Sequence, residues 1–293
     1  MKLKPLHKAD LVGIAAPAGP FDHKAFLKGI GILKKAGLKL RYRRTIFSKK
    51  EYLAGADQRR TAELNSFLKD PKVRALLMAR GGFGCQRILP LLKGRCSPKV
   101  VIGSSDITIL LLHLWQRFRL PSYYGPMVAP HFTHPENVRR LVRALTDPQF
   151  SKKQRLIAKK TICGGKAEGR LIGGCLSLLV STLGTPWEVN TKGSILFLED
   201  TNESPYAIDR MLTQLEQAGK LKGVRGIVLG TFKLARQFFP SEVESVFREK
   251  FKKFKVPILW GVRFGHHPKP LFIPLGGKGR IVGKELQITQ GIF

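Results

Sequence analysis

Short apolar segments alternate with longer stretches of helical periodicity along most of this chain. The short segments are rich in Val, Ile and Leu, as buried strands are, and they predict strands at 11–15, 73–78, 100–102, 195–198, 226–229 and 256–259. The longer stretches repeat apolar residues every three or four positions, as around Thr61 to Leu68 and from Ile107 onwards. This alternation predicts an α/β fold with a parallel sheet.

The clearest helix of the second half is bounded by residues that commonly begin and end helices. Ser204 is a typical N-cap, Pro205 suits the first helical position and Gly219 follows the last turn. Between the two halves, the segment 146–168 is polar, basic and weakly periodic. We therefore predict an N-terminal α/β domain at 1–145, a crossover at 146–168 and a C-terminal α/β domain at 169–293.

The turn "GSSD", Gly103 to Asp106, joins the predicted strand 100–102 to the helix that begins near Ile107. Two interpretations of this turn are open. A Ser or Asp caps the helix, which is the commoner role of these residues. Alternatively, the turn presents a reactive group and the helix N–H groups to an anion or a reacting oxyanion. The turn by itself favours capping.

Polar or glycine-rich turns follow three other predicted strands. They are "ARGGFG" after 73–78, the acidic pair Glu199 and Asp200 after 195–198, and "GHH" at 265–267 beyond the strand 256–259. Because ligands bind at the carboxyl ends of strands in open α/β sheets, these turns would share one site. Together they supply a hydroxyl, a carboxylate, an imidazole and backbone amides, which are the parts of a serine hydrolase.

Each part also has an ordinary structural interpretation. Glu199 would be an exposed charge at a strand end, although Asp200 and Glu203 make an acidic cluster in a chain with only 20 acids. His266 would be a packing histidine, and "GGFG" a plain turn. The glycines do not complete a dinucleotide loop, and the serine turn is not Gly-x-Ser-x-Gly, because Ile107 occupies its last position. No metal-ligand spacing is found.

The charge of the chain is its one unusual bulk property. Lys and Arg number 52 against 20 Asp and Glu, for a net charge of +32. The basic residues are dispersed, as pairs such as Arg59 and Arg60, and no nucleic-acid docking motif accompanies them, so specific nucleic-acid binding is not expected. A diffuse positive field would speed the capture of an anionic substrate. A basic binding protein without catalysis is the alternative from another class.

Cysteine use and hydropathy predict a cytoplasmic protein without membrane insertion. The four cysteines form no close pair, as is usual in a reducing compartment. The apolar run at 11–16 is shorter than a signal-peptide core and predicts a first strand. The longest uncharged stretch, 171–187, contains Gly, Ser and Thr throughout, and it predicts a buried helix rather than a membrane span.

Eight blocks together resemble the L,D-carboxypeptidases of the S66 serine peptidase family, which includes muramoyltetrapeptide carboxypeptidases and microcin C immunity peptidases. In chain order they are "VGIAAPAGP", "ARGGFGCQRILPLL", "GSSDITILLLHL", "YGPM", "GRLIGGCLSLL", "LGTPWE", "ILFLEDTNESPYAIDRMLTQLEQAG" and "FGHHPKPLFIPLG". The resemblance implies a two-domain α/β enzyme with its active site between the domains, a homodimer and no cofactor.

The resemblance also implies roles for particular residues. Ser105 falls on the family's nucleophile, Glu199 and His266 on its other two triad members, and the backbone amides of Asp106 and Gly82 on its oxyanion hole. Arg80, beside the glycines, is a candidate for binding substrate.

Two positions depart from the family pattern. Ser104 replaces a tyrosine and Cys175 an asparagine, which puts the substrate contacts near both positions in doubt.

The expected function is a serine carboxypeptidase that removes the terminal D-alanine from murein tetrapeptides during peptidoglycan recycling. The alternative within the same chemistry is a microcin-type immunity peptidase that cleaves peptidyl or aminoacyl nucleotide analogues. The murein peptide carries several carboxylates, which is compatible with the positive charge of the chain.

Overall fold

Two β-sheets, each covered by helices, organise the chain. The computed structural model describes residues 3–7 and 9–293. Its strands are β1 (Leu11–Ala15), β2 (Lys39–Arg41), β3 (Val73–Met78), β4 (Val100–Gly103), β5 (Ser122–Tyr124), β6 (Leu156–Ile157), β7 (Lys160–Cys163), β8 (Lys166–Cys175), β9 (Ser194–Glu203), β10 (Gly226–Leu234), β11 (Ile258–Gly265), β12 (Ile273–Leu275), β13 (Lys278–Val282) and β14 (Glu285–Gln290).

The helices lie between these strands in the alternation that the sequence predicts. They are α1 (His23–Lys35), α2 (Asp57–Lys69), α3 (Cys85–Ile88), α4 (Ile107–Phe118), α5 (Val128–His131), α6 (Pro135–Thr146), α7 (Phe150–Lys153), α8 (Leu176–Ser181), α9 (Pro205–Gln217) and α10 (Pro240–Phe251), with 3₁₀ turns at Arg44–Phe47 and Leu89–Leu91. The predicted cap of α9 is confirmed, since the Ser204 side chain accepts the Ala207 N–H at 3.3 Å.

The first sheet has the strand order β12-β5-β4-β3-β1-β2. Strands β1 to β5 are parallel, and β12 pairs antiparallel with β5. The inner parallel strands are buried on both faces by helices, which explains why β3 and β4 are nearly continuous apolar runs. Because β12 comes from the end of the chain, this sheet ties the C-terminal half to the N-terminal one.

The second sheet has the order β6-β14-β13-β8-β9-β10-β11-β7. Its centre, β8 to β11, is parallel, and antiparallel strands flank it on both sides. The α/β class with two sheet-centred domains is therefore confirmed, and the parallel pattern holds at the centre of each sheet.

The segment 146–168 is more regular than a crossover. It contains α7, β6 and β7, and the two short strands pair antiparallel with β14 and β11. Such short edge strands carry little periodicity, so the sequence does not reveal them. The division at 146–168 stays a prediction.

The uncharged stretch 171–187 is not one buried helix, and this prediction is wrong. Its first residues, Leu171 to Cys175, complete β8, and only Leu176–Ser181 is helical. The strand portion is apolar because it is buried inside the sheet, where it pairs with β9. Within the described residues, no helix combines the length and apolar character needed to cross a membrane.

Candidate active site

Ser105 lies at the turn between β4 and α4 in an uncommon backbone conformation. Its φ is 60°, in the left-handed region that non-glycine residues rarely adopt. No side chain caps α4, whose N-terminal flanking residue is Asp106, so the capping interpretation is wrong. Ser105 is half-buried, whereas Ser104 is buried. Strain of this kind is often stored where a side chain must be presented for chemistry.

Glu199, which lies within β9, and His266, which directly follows β11, form a hydrogen-bonded pair. Glu199 Oε2 lies 2.7 Å from His266 Nδ1 and also accepts the His266 backbone N–H at 3.0 Å. The Glu199 side chain is fully buried. Gly265 makes this approach possible, because a Cβ there would lie 2.2 Å from the Glu199 carboxyl carbon. The ring therefore presents Nε2 away from the carboxylate.

Tyr124, the last residue of β5, connects this pair to the serine turn. Its hydroxyl accepts the Ser105 N–H at 3.0 Å and donates to Glu199 Oε1. Burial and the neighbouring Glu199 charge hold the pKa of Tyr124 well above its usual value, so the hydroxyl keeps its proton. Ser105, Tyr124, Glu199 and His266 are thus joined in one network that crosses from the first sheet to the second.

The Ser105 hydroxyl donates no hydrogen bond to the His266 ring in this structure, and the two residues are linked only through Tyr124 and Glu199. Hydrogen bonds between a nucleophile and its base often tighten only when substrate binds.

The glycine turn after β3 packs directly against the serine turn. A Cβ on Gly81 would lie 2.8 Å from Ser105 Cβ and 3.4 Å from the Asp106 nitrogen. The backbone N–H groups of Gly82 and Asp106 donate to no protein acceptor among the described residues. Both N–H groups are therefore free donors, as an oxyanion hole requires, and their part in a reaction stays a prediction.

Two buried charged groups brace these turns. The Asp106 carboxylate accepts the Cys85 N–H at 2.8 Å, which fixes the end of the glycine turn to the serine turn. Burial raises the pKa of Asp106 to about 6. Arg60, fully buried, donates to the carbonyl oxygens of Pro17, Gly55 and Gly84, three loops around the same turn. Arg60 is therefore a structural residue and not part of the diffuse surface charge.

The pKa of His266 is raised above its ordinary value. Burial alone lowers the pKa of His266, but the hydrogen bond and the negative charge of Glu199 together outweigh that effect. An imidazole held in this way favours the protonated form that follows proton abstraction from a hydroxyl.

The departures from the family pattern lie close to this network. Cys175 ends β8 opposite Glu199, and its N–H donates to Thr108 Oγ1 at 3.1 Å while its thiol contacts Asp200 Oδ1 at 3.4 Å. Burial and the Asp200 charge raise the pKa of the Cys175 thiol. Arg80 is exposed and donates to the Pro20 carbonyl at 2.6 Å; its part in substrate binding stays a prediction.

Sequence reasoning missed two residues of the site. In the sequence, Tyr124 is simply the first residue of the block "YGPM". A tyrosine at the end of an apolar strand is usually a core residue, so its pattern gives no sign of a role in the site. Arg60 stands beside Arg59 as one of the dispersed basic pairs, and nothing in that pair shows that one member is fully buried. Among residues 3–7 and 9–293, no group of three or more His, Cys, Asp or Glu is placed to hold a metal ion.

The fold and the site are those of a two-domain α/β hydrolase. Comparison with known proteins identifies the family. Residues 12–125 match the LD-carboxypeptidase N-terminal domain and residues 168–281 the LD-carboxypeptidase C-terminal domain. The chain belongs to the LD-carboxypeptidase family, peptidase family S66.

The similar proteins include both murein peptide carboxypeptidases and a microcin self-immunity protein. The "Probable murein peptide carboxypeptidase" of Bacillus subtilis is 36% identical over 94% of this chain and 90% of its own length. The microcin C7 self-immunity protein MccF of Escherichia coli is 28% identical over 98% of this chain and 95% of its own. The crystal structure of a muramoyltetrapeptide carboxypeptidase from Oxalobacter formigenes superposes with a TM-score of 0.83, at 27% identity, over 96% of this chain and 98% of that chain.

Proposed function

We propose that this protein is a serine carboxypeptidase that releases the terminal D-alanine from murein tetrapeptides by hydrolysing the amide bond after the L-centre of the diamino acid. Ser105 is the nucleophile, His266 the general base and acid, and Glu199 the group that orients the imidazole. The observation that carries the proposal is the hydrogen bond between the buried Glu199 carboxylate and His266, joined through Tyr124 to a serine at positive φ.

In the proposed reaction, Ser105 Oγ bonds to the scissile carbonyl carbon while His266 Nε2 takes the hydroxyl proton. Negative charge develops on the carbonyl oxygen, where the N–H groups of Gly82 and Asp106 donate to it. As the C–N bond breaks, His266 returns the proton to the leaving amine and D-alanine departs. Water, deprotonated by the same imidazole, hydrolyses the acyl-enzyme, and the proton goes back to Ser105.

The substrate class rests on the relatives. The B. subtilis relative is named for murein peptides and the O. formigenes structure for a muramoyltetrapeptide, and both align over at least nine-tenths of this chain. We further propose that the enzyme works in the cytoplasm as a homodimer in peptidoglycan recycling. Sedimentation at several protein concentrations tests the dimer.

The decisive experiment compares two adjacent serines. D-alanine release from a murein tetrapeptide is followed by mass spectrometry for the wild type, Ser105→Ala and Ser104→Ala. We expect Ser105→Ala to lower kcat by roughly 10⁴- to 10⁶-fold and Ser104→Ala by less than about tenfold. A fluorophosphonate probe should add to Ser105 alone. Full activity without Ser105, or labelling at Ser104, contradicts the proposed mechanism.

Hydrolysis of an aminoacyl sulfamoyl adenosine is the second candidate activity. It is favoured by the similarity to the E. coli self-immunity protein over nearly the whole chain. The ratio of kcat/KM for the tetrapeptide and for the nucleotide analogue separates the two. Binding of either compound without turnover would instead support a basic binding protein.

A further inference from the structure

A pocket beside His266 has features that the proposed reaction does not use. It occupies about 240 Å³ against residues 230–232 of β10 and 260–263 of β11, next to the start of β7 and α10. Phe232, Trp260 and Pro240 provide an apolar wall, and Lys159, Lys160, Arg263 and His267 surround it. No carboxylate lines it. Its size suits one small charged group with a short carbon stem.

The pocket adjoins the candidate site through the strand ends. Thr231, which lines the pocket, pairs with Gly265, the residue before His266. His267, the residue after it, is part of the pocket wall. Lys233, two residues beyond Thr231, lies within electrostatic range of both histidines, because its charge lowers the pKa of each. A substrate held at His266 therefore has this pocket as its immediate neighbour.

The cations of the pocket differ in how far the protein already neutralises them. Lys160 is paired with Glu244 and lies over the Trp260 ring at 5.4 Å. Lys159 and Arg263 form no salt bridge with any described residue, and neither does Lys233 outside the pocket. Glu136 is close enough to Arg263 to feel its charge but pairs with Arg140 and Lys269 instead. Unneutralised cations against an apolar wall favour an anion that brings its own carbon stem.

We propose that this pocket binds a carboxylate of the substrate, held chiefly by Lys159 and Arg263 against the ring of Trp260. The inference rests on the proposed function, because it makes the pocket a subsite of the same reaction. A murein tetrapeptide offers three carboxylates: those of the terminal D-alanine, of the diamino acid side chain and of the D-glutamate. They share one chemistry, and the experiment distinguishes them.

The first experiment measures kcat and KM for a diaminopimelate tetrapeptide and for three analogues, each with one carboxylate converted to a carboxamide. The double variant Lys159→Gln, Arg263→Gln is compared with Lys278→Gln, Arg280→Gln, a pair on β13 outside the pocket that lowers the net charge equally. We expect the pocket variant to lose about 10- to 100-fold in kcat/KM on the parent peptide, mainly through KM. The loss should be under threefold on the one analogue that lacks the bound carboxylate. The control pair should lose less than threefold on all four peptides.

Equal losses on all four peptides, or none beyond the control, overturn the proposal. A second measurement does not depend on turnover. In a Ser105→Ala, Trp115→Phe, Trp187→Phe protein, Trp260 is the single tryptophan, and the parent tetrapeptide should change its fluorescence saturably. This signal should weaken at least tenfold in the pocket variant.

The two proposals fail differently. A saturable Trp260 signal without D-alanine release from the wild type keeps the pocket and rejects the proposed activity. Release without a Trp260 signal and without the charge effect keeps the activity and rejects the pocket.

Discussion

Replacing Glu199 with glutamine is the sharpest test of the Glu199–His266 pair. The change keeps the size of the side chain but removes one charge and one acceptor oxygen. In the wild type, Oε2 accepts the His266 Nδ1–H and backbone N–H, and Oε1 accepts the Tyr124 hydroxyl. All three partners donate. A carboxamide has only one oxygen, which can face either His266 or Tyr124. Its NH₂ group must then face a hydrogen-bond donor on the other residue.

The expected loss follows from these contacts. If the NH₂ group faces His266, the ring must carry its proton on Nε2, and it then has no lone pair for the Ser105 proton; an error of tautomer costs a factor of about 10⁴ in a triad. If it faces Tyr124 instead, only the charge-assisted part of the hydrogen bond is lost, about 1.5–3 kcal/mol or roughly 10- to 200-fold. We expect kcat to fall by about 10³- to 10⁴-fold, since the first arrangement stops turnover.

The pH profile gives an independent readout. A general base must be neutral, so activity is lost as the pH falls through the pKa of His266. Because Glu199 raises that pKa, the acid limb of kcat/KM should lie above the ordinary value of about 6.5. In the glutamine variant, burial still lowers the pKa of His266 but the negative charge that raises it is gone. The acid limb should therefore move to lower pH.

The assay is D-alanine release across the acid limb, with thermal melts to confirm folding. Glu203→Gln is the matched control, because Glu203 lies on the same strand, is half-buried and makes no hydrogen bond to His266. A glutamine variant within tenfold of wild-type kcat, or one with an unmoved acid limb, would refute the role of Glu199.

Three further outcomes are expected. The Ser105→Ala, His266→Ala double variant should be scarcely worse than either single variant in kcat, because members of a triad act as a unit; multiplied losses would show independent roles. Tyr124→Phe should lower both kcat, by about 10- to 100-fold, and the melting temperature, because it leaves a buried Glu199 oxygen and the Ser105 N–H unpartnered; a stability loss with normal kcat would make Tyr124 purely structural. With rising salt, kcat/KM should fall while kcat stays constant, if the +32 charge captures substrate; a flat profile leaves the charge without a catalytic role.

The strands and helices that carry the site were predictable because their signals are local. Strands β1 and β3 have the predicted bounds, and the Ser–Pro start of α9 is confirmed. The same patterns placed the serine turn directly after β4, whereas Glu199, expected after a strand ending at 198, lies within β9, which continues to Glu203. The eight family blocks then gave the residues their expected roles.

The contacts that the sequence did not reveal are those between distant segments. Tyr124 and Glu199 are 75 positions apart, and nothing in "SYYGPM" tells which tyrosine hydroxyl meets a carboxylate. Tyr123, its neighbour, points to the other face of the sheet and bonds to Ser151. The burial of Arg60 was not predictable, because it depends on three loop carbonyls that converge only in the folded chain.

The candidate site depends on contact between the two sheets rather than on either one. Ser105 and Tyr124 come from the first sheet, and Glu199 and His266 from the second. Thr108 Oγ1 also bridges them, since it donates to the Ser105 carbonyl at 2.6 Å and accepts the Cys175 N–H at 3.1 Å. Both backbone polar groups of Ser105 are therefore connected to the second sheet, the N–H through the Tyr124 side chain and the carbonyl through the Thr108 side chain. The position of Ser105 relative to His266 therefore depends on how the two sheets pack together, and neither sheet sets it alone.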